Sequence, residues 1–192
     1  MPSVFVITGP SGAGKGTLER ALIGRMPHEL ELAVSATTRA IRRGEADGRE
    51  YYFLSEDEFD RRVADGAFLE YVTYVSGHRY GTLWSELERI AGAGRAALLD
   101  LEVEGAQTVR DAVPGAVVIF VDAPLAELER RLQARATESA GEIGERVALA
   151  HEQKQHANEF DYVVQNDDLA RATDDLAAIV SRELAAAGTM PR

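Results

Sequence analysis

The chain has 192 residues, 45% of them hydrophobic and 28% charged, which is typical of a single globular domain. It has no cysteine, which excludes disulfides and thiolate metal sites, and no apolar run near the roughly 18 residues that span a bilayer. No basic stretch precedes the first apolar run and the net charge is −11, so we expect no signal peptide, a cytoplasmic protein and no binding of nucleic acid or membrane.

Short apolar runs alternate with helical patterns along most of the chain. The first strand, residues 3–8, stops at Gly9, and the next helix, 14–26, repeats apolar residues every four positions. Further strands are predicted at 30–35, 51–54, 68–75, 96–101, 116–122 and 162–165. Further helices are predicted at 83–91, 105–112, 124–135, 143–160 and 168–187. The alternation favours an α/β fold with a buried parallel sheet flanked by helices.

The stretch from 35 to 81 interrupts this alternation. It contains a polar, arginine-rich loop at 37–50 and short aromatic strands, and Ser55 with Glu58 forms a capping-box pattern that predicts a short helix. We therefore expect one domain, 1–192, with an inserted mixed α/β lobe at about 35–81. The core would comprise about 1–34, 82–135 and 147–192.

A glycine-rich loop follows the first strand and opens the first helix, which is the setting of a P-loop, G-x-x-x-x-G-K. Its glycines let backbone N–H groups converge on an anion, and the helix N-terminus adds partial positive charge. Lys15, one of only two lysines among 21 basic residues, would reach the β and γ phosphates. The candidate ATP-binding residues of this loop are Gly9, Pro10, Ser11, Gly12, Ala13, Gly14, Lys15, Gly16 and Thr17.

The loop departs from the strict P-loop pattern at one position. Gly16 follows Lys15 where Ser or Thr is usual, and Thr17 comes one place later. We therefore expect no direct protein ligand to Mg²⁺. Phosphates and waters would hold the ion instead, with Thr17 and Asp100 placed to contact its bound waters.

Four further motifs follow the loop in order. They are S-x-T-T-R-x-x-R-x-G-E from Ser35, G-x-x-Y-x-F from Gly48, Phe68-Leu69-Glu70, and Tyr80-Gly81-Thr82. With the phosphate loop they closely resemble the guanylate kinase family over nearly the whole chain. The resemblance implies a P-loop kinase with a short helical lid that uses ATP and Mg²⁺ to phosphorylate GMP, and also dGMP, in purine nucleotide metabolism. Ile41 stands where the family usually has Pro, and we expect it to alter affinity rather than reaction type.

The resemblance also implies residue roles on the GMP side. Arg39, Arg42, Tyr51 and Tyr80 would hold the GMP phosphate, which suits guanidinium forks and phenolic hydroxyls. Ser35, Glu70 and Thr82 would recognise the guanine base, because a carboxylate can accept both the ring N–H and the exocyclic amine. Adenine presents an acceptor at that ring nitrogen, so the same carboxylate would reject it.

Two acidic residues, Asp100 and Glu102, follow the strand 96–101. The carboxyl ends of strands form the ligand edge of open α/β sheets, and the resemblance places both residues near the GMP and the metal. The alternative is that they are acids at a helix N-terminus.

Arginines around 136–146 resemble the lid of nucleoside monophosphate kinases. Arg131 and Arg135 are four residues apart on one predicted helix face, and Arg146 lies beyond a segment with Gly and Ser. With Lys15 and Arg39 they would stabilise charge on the transferred group. Asn166, after the last strand, resembles the adenine-side loop of the family. The alternative for the lid pair is two surface arginines.

Two other functions remain open on the residues alone. A non-catalytic guanylate-kinase-like binding module would share the fold, and a kinase for another phosphorylated acceptor would share the phosphate loop. The first tends to have a damaged phosphate loop, and the second has no need of Glu70 or of the S-x-T-T-R segment. Either a monomer or a homodimer is compatible with the sequence.

Overall fold

The computed structural model describes residues 3–74, 77–134 and 140–188. Nine strands occur there: β1 (Val4–Thr8), β2 (Leu30–Leu32), β3 (Ala36–Thr37), β4 (Tyr52–Phe53), β5 (Phe68–Thr73), β6 (Arg79–Leu83), β7 (Ala96–Asp100), β8 (Val117–Asp122) and β9 (Tyr162–Gln165). Seven α-helices accompany them: α1 (Lys15–Arg25), α2 (Glu56–Ala64), α3 (Trp84–Gly92), α4 (Val103–Ala112), α5 (Leu125–Ala134), α6 (Ala140–Gln155) and α7 (Leu169–Ala186). None of these helices is long and apolar enough to cross a membrane.

The core of the molecule is a five-stranded parallel sheet in the order β2-β7-β1-β8-β9. Side chains of the central strand β1 alternate between its two faces. Phe5 and Ile7 pack in a cluster with residues of α1 and α7, while Val4 and Val6 pack in a second cluster with residues of α3 and α4. Both faces are therefore buried, which explains the continuous apolar runs in the sequence.

A second, four-stranded sheet forms the lobe, in the order β4-β3-β6-β5. The pair β3–β4 is parallel, whereas β6 is antiparallel to β3 and β5. Helix α2 closes a small aromatic core, with Phe59 stacked on Phe68 at 4.4 Å and the Arg79 guanidinium 4.4 Å from the Phe59 ring centre. Ser55 caps α2, since its Oγ accepts from the Glu58 N–H at 3.2 Å, as the capping-box pattern predicts.

A buried carboxylate on α3 joins the lobe to the core. Glu86, 1% exposed, accepts from the backbone N–H of Val34 and from the Tyr52 hydroxyl, each at 2.9 Å. Val34 lies on the connection between β2 and β3, and Tyr52 lies in β4. Glu86 therefore fixes the point at which the chain enters the lobe, next to Ser35.

The structure departs from the sequence predictions mainly in the lobe and in α6. Strands β3 and β6 were not predicted, because the first has two residues and the second contains Gly81 and lacks a continuous apolar run. The helix predicted at 143–160 begins earlier, at Ala140, and ends at Gln155, where a 3₁₀ turn, Ala157–Glu159, follows. The predicted strand 30–35 ends at Leu32, since the chain then turns into the lobe.

Helix α7 allows a matched test of the buried core. Leu176 is fully buried, whereas Leu169 on the same helix is 43% exposed. Replacing a buried leucine by alanine removes apolar contacts and leaves a cavity, so Leu176→Ala should lower the free energy of unfolding by about 2–5 kcal/mol. Leu169→Ala should lower it by less than about 1 kcal/mol. Urea denaturation measures both, and equal losses would contradict this packing.

Candidate active site

Two glycines, Gly9 and Gly14, shape the loop between β1 and α1. Gly9 has a φ of 140°, and a Cβ there would lie 2.1 Å from the carbonyl oxygen of Val121 in β8. Gly14 has a φ of 86°, a left-handed conformation that favours glycine. The loop therefore presses against the sheet at its start and turns sharply before α1 begins at Lys15.

Side chains from three parts of the chain hold this loop. The ammonium of Lys15 donates to the Gly9 carbonyl at 2.8 Å, which folds the lysine back along the loop. Asn166, 4% exposed, donates from Nδ2 to the Ala13 carbonyl at 2.7 Å. Arg131 donates to the carbonyls of Gly12 at 3.3 Å and Ala13 at 3.2 Å. Arg131 and Asn166 lie outside the loop, so contacts with the rest of the fold hold its backbone in place.

Two cavities meet at the carboxyl end of the parallel sheet. The first, about 240 Å³, is bounded by the phosphate loop, and the second, about 350 Å³, lies between the core and the lobe. Lys15, Asp100 and Glu102 line both cavities. The predicted residues on the first are Pro10, Ser11, Gly12, Gly14, Lys15, Gly16 and Thr17, and those on the second are Ser35, Tyr51, Glu70 and Tyr80.

The predicted base-reading carboxylate lies at the wall of the second cavity. Glu70, 6% exposed, accepts from the Thr82 N–H at 2.9 Å through Oε1. Burial raises the pKa of Glu70, and the hydrogen bonds from Thr82 oppose that rise. A Cβ at Gly105 would lie 3.2 Å from the Glu70 Oε2, and one at Gly81 would lie 2.6 Å from the Glu70 carbonyl oxygen. Glu70 lines the cavity, with the backbones of Gly81 and Gly105 packed close to it.

Arg39 is buried beside the second cavity and is held by an internal ion pair. Its guanidinium donates to both carboxylate oxygens of Glu45, at 2.8 and 3.1 Å, and lies 5.3 Å from the Tyr51 ring centre. The Arg39 hydrogen bond is also the main cause of the lowered pKa of Glu45. Glu45 accepts from the Arg42 N–H at 2.8 Å, while the Arg42 side chain is exposed. Arg39 and Arg42 thus lie outside the described lining of the cavity.

Asp100, Glu102 and the neighbouring Glu19 form an acidic floor between the two cavities. Asp100 ends β7, and its side chain is accessible to solvent. The surrounding protein nevertheless reduces its hydration and so raises its pKa, while the positive charge of Lys15 lowers it. Glu19 on α1 is only 3% exposed. Burial, and next the neighbouring Asp100 carboxyl, raise the pKa of Glu19. The carboxyl groups of Glu19 and Asp100 therefore lie close to each other and near Lys15.

The lid arginines are described only in part. Arg131 donates to carbonyls of the phosphate loop, and both Arg131 and the neighbouring Arg130 pair with Glu127. Arg135 and the side chain of Arg146 lie outside the described residues.

Four site neighbours carry no sequence signal that would single them out. They are Glu19, Tyr74, Gly105 and Gln153. None belongs to a motif. Glu19, Tyr74 and Gly105 lie within four residues of Lys15, Glu70 and Glu102, whereas Gln153 lies on the distant helix α6.

Comparison with known proteins agrees with this architecture. The guanylate kinase family model matches residues 1–183. A guanylate kinase from Rubrobacter xylanophilus is 46% identical over 183 residues, covering 95% of each chain, and one from Synechocystis is 42% identical over 181 residues, covering 94% of each.

The fold is similar to that of a solved relative. The crystal structure of guanylate kinase from Anaplasma phagocytophilum superposes with a TM-score of 0.71 at 28% identity, covering 95% of this chain and 86% of that one. The phosphate loop, the second cavity with Glu70 and these matches over nearly the full length lead to one conclusion: the chain belongs to the guanylate kinase family.

Proposed function

We propose that this protein transfers the γ-phosphoryl group of ATP to the phosphate of GMP, and also of dGMP, giving ADP and GDP or dGDP. The observation that carries the proposal is the shared wall of the two cavities. Lys15, Asp100 and Glu102 border both the phosphate-loop cavity and the cavity with Glu70. A triphosphate in the first and a nucleoside monophosphate in the second would therefore meet end to end.

The reaction needs positioning and charge neutralisation more than covalent participation by the protein. An oxygen of the GMP phosphate attacks the γ-phosphorus of ATP in line, a new P–O bond forms, and the bond to the β-phosphate oxygen breaks with ADP leaving. The second pKa of a phosphate monoester is about 6, so the attacking group is already largely ionised near neutral pH. No general base is needed. Lys15, between the two cavities, would shield the charges of both phosphates.

Recognition of the acceptor rests on the walls of the second cavity. Glu70 would accept the ring N–H and the exocyclic amine of guanine, with Ser35 and Thr82 beside it. Arg39, Arg42, Tyr51 and Tyr80 would bind the GMP phosphate. Because Glu45 already holds Arg39 by two hydrogen bonds, the guanidinium is oriented before the phosphate arrives.

The acidic floor fits Mg²⁺ bound mainly through phosphates and water. Within the described ranges, no cluster of three or more His, Cys, Asp or Glu side chains could enclose a metal. Asp100 borders both cavities, and Oε1 of the neighbouring Glu19 is buried without a partner among the described residues. Mg²⁺ commonly takes one or two carboxylates and keeps several waters. Asp100 and Thr17 would contact those waters, and the ion, when bound, would neutralise charge on the β- and γ-phosphates.

The chain would act as three parts in this reaction. We assign the core to about 1–34, 82–135 and 147–192, the GMP-binding lobe to about 35–81 and the lid to about 136–146. Closure of lid and lobe would exclude water and so suppress hydrolysis of ATP. Arg131, Arg135 and Arg146 would stabilise the transferred group, while Asn166 would lie on the adenine side.

A coupled assay of ADP release with ATP and Mg²⁺ tests the proposed function. GMP should give the largest kcat/KM among GMP, dGMP, AMP and UMP, with dGMP next and AMP lower than GMP by roughly 10⁴-fold, because adenine leaves Glu70 unpaired. Absence of ADP release with every acceptor would favour a binding module. Preference for a different acceptor would favour the alternative kinase.

The variant Glu70→Gln tests the base-reading assignment. Glutamine keeps the size but replaces one acceptor by a donor facing the guanine N–H groups, so kcat/KM for GMP should fall by roughly 100-fold or more. Glu88→Gln, on an exposed position of α3, is the matched control and should change it less than about two-fold. Unaltered GMP turnover in Glu70→Gln would show that this residue does not read the base.

The pH dependence of the same comparison gives a second check. Glu70 accepts both guanine N–H groups only when ionised, and burial raises its pKa above the ordinary glutamate value. As the pH falls, the wild-type carboxylate gains a proton, whereas glutamine cannot. The wild-type advantage over Glu70→Gln should therefore narrow from about pH 7 towards about pH 5. Titration of the GMP phosphate affects both proteins and cancels in the ratio. A constant ratio would contradict the assignment.

A further inference from the structure

A glutamine on α6 is buried at the junction of the two nucleotide sites. Gln153 is 8% exposed, whereas Glu152 and Gln155 beside it on the same helix are exposed. A buried amide needs partners for both its oxygen and its NH₂ group, or it destabilises the fold. The partners of Gln153 therefore indicate why α6 carries an amide here.

Each end of the Gln153 amide contacts a different nucleotide site. Its Oε1 accepts from the Ser11 N–H of the phosphate loop at 3.3 Å, and its Nε2 donates to Oε2 of Glu102 at 2.9 Å. Ser11 lines the first cavity, and Glu102 lines both. A backbone N–H can only donate and a carboxylate can only accept, so these two partners together require one donor and one acceptor from the residue between them.

The adjacent residue fixes the same turn of α6 to the parallel sheet. The Lys154 ammonium pairs with the Asp122 carboxylate at the end of β8 and donates to the Ala123 carbonyl at 2.8 Å. Lys154 is the only lysine besides Lys15. The C-terminal end of α6 is thus attached to β8 through Lys154, and to the phosphate loop and Glu102 through Gln153. These contacts on both sides hold the Gln153 side chain in place.

We propose that Gln153 is a positioning residue that fixes the position of the phosphate loop relative to the Glu102 carboxylate. This inference rests on the proposed function, since it takes the two cavities to be the donor and acceptor sites. Because one amide bonds both groups, a change in the position of the phosphate loop would shift Glu102, and a change in the position of Glu102 would shift the loop. Leucine at position 153 would lose both hydrogen bonds. Glutamate there would still accept from the Ser11 N–H, but its carboxylate would repel that of Glu102.

Nucleotide binding without turnover tests whether Gln153 positions the two sites. Calorimetry should measure the Kd of GMP alone and of a non-hydrolysable ATP analogue alone for wild type, Gln153→Leu and Gln155→Leu. Gln153→Leu should raise the Kd of GMP by about ten-fold, because a hydrogen bond to a charged group is lost, and that of the ATP analogue by about three-fold. Gln155→Leu, matched in chemistry and helix, should leave both within about two-fold of wild type.

A reversed bridge tests the hydrogen-bond polarity itself. Gln153→Glu should lower the melting temperature, because two carboxylates then face each other. Adding Glu102→Gln restores a donor–acceptor pair with one carboxylate, as in the wild type. The double variant should recover most of the lost melting temperature. Gln155→Glu is the matched control and should melt like the wild type.

Either of two results would overturn the inference. One is a Gln153→Leu protein that binds both nucleotides with wild-type affinity, and the other is a double variant that melts no higher than Gln153→Glu. If the wild type itself does not bind GMP, the proposed function fails, while the melting temperatures still decide whether Gln153 bridges Ser11 and Glu102.

Discussion

The placement of one ammonium group and two carboxylates between two cavities is the constraint on which the site depends. It follows from strand pairing, since β1 and β7 are parallel neighbours with Ile7 opposite Asp100. The phosphate loop leaves β1 where Asp100 and Glu102 leave β7, so Lys15 and the acidic floor meet at one edge of the sheet. The β1–β7 pairing therefore makes the phosphate-loop cavity and the cavity with Glu70 share a wall.

Acidic side chains accompany the basic ones around the site, in a chain with a net charge of −11. Carboxylates orient the arginines around the site, as Glu45 does for Arg39 and Glu127 for Arg131. Such pairs restrict the guanidinium groups at the cost of partly neutralising them. A phosphate that binds Arg39 must share the guanidinium with Glu45 or displace it. If the proposed role of Arg39 is correct, the loop that carries both residues must rearrange when the phosphate binds.

The sequence predicts those parts of the structure that depend on local pattern. Strand β9 has the predicted bounds, and α1 follows the four-residue spacing of Leu18 and Leu22. The glycine loop was identifiable because its strand and helix flank it directly. The order of motifs was sufficient to identify the family, which the family match over residues 1–183 confirms.

Contacts between distant segments were beyond the reach of sequence patterns. Strand β6 is defined by pairing with β3 and β5, and its own residues carry no strand periodicity. The hold of Arg131 and Asn166 on the phosphate loop joins residues more than a hundred positions apart. Gln153 looks like any polar residue of a solvent-facing helix until its partners are known. The individual roles of the predicted site residues stay predictions.

A crystal structure with GMP, Mg²⁺ and a non-hydrolysable ATP analogue tests the central claim most directly. The account predicts the triphosphate along residues 9–17, guanine against Glu70, and both facing phosphate groups within reach of Lys15. A structure with the second cavity empty, or with GMP bound elsewhere and Arg39 directed into bulk solvent, would contradict it.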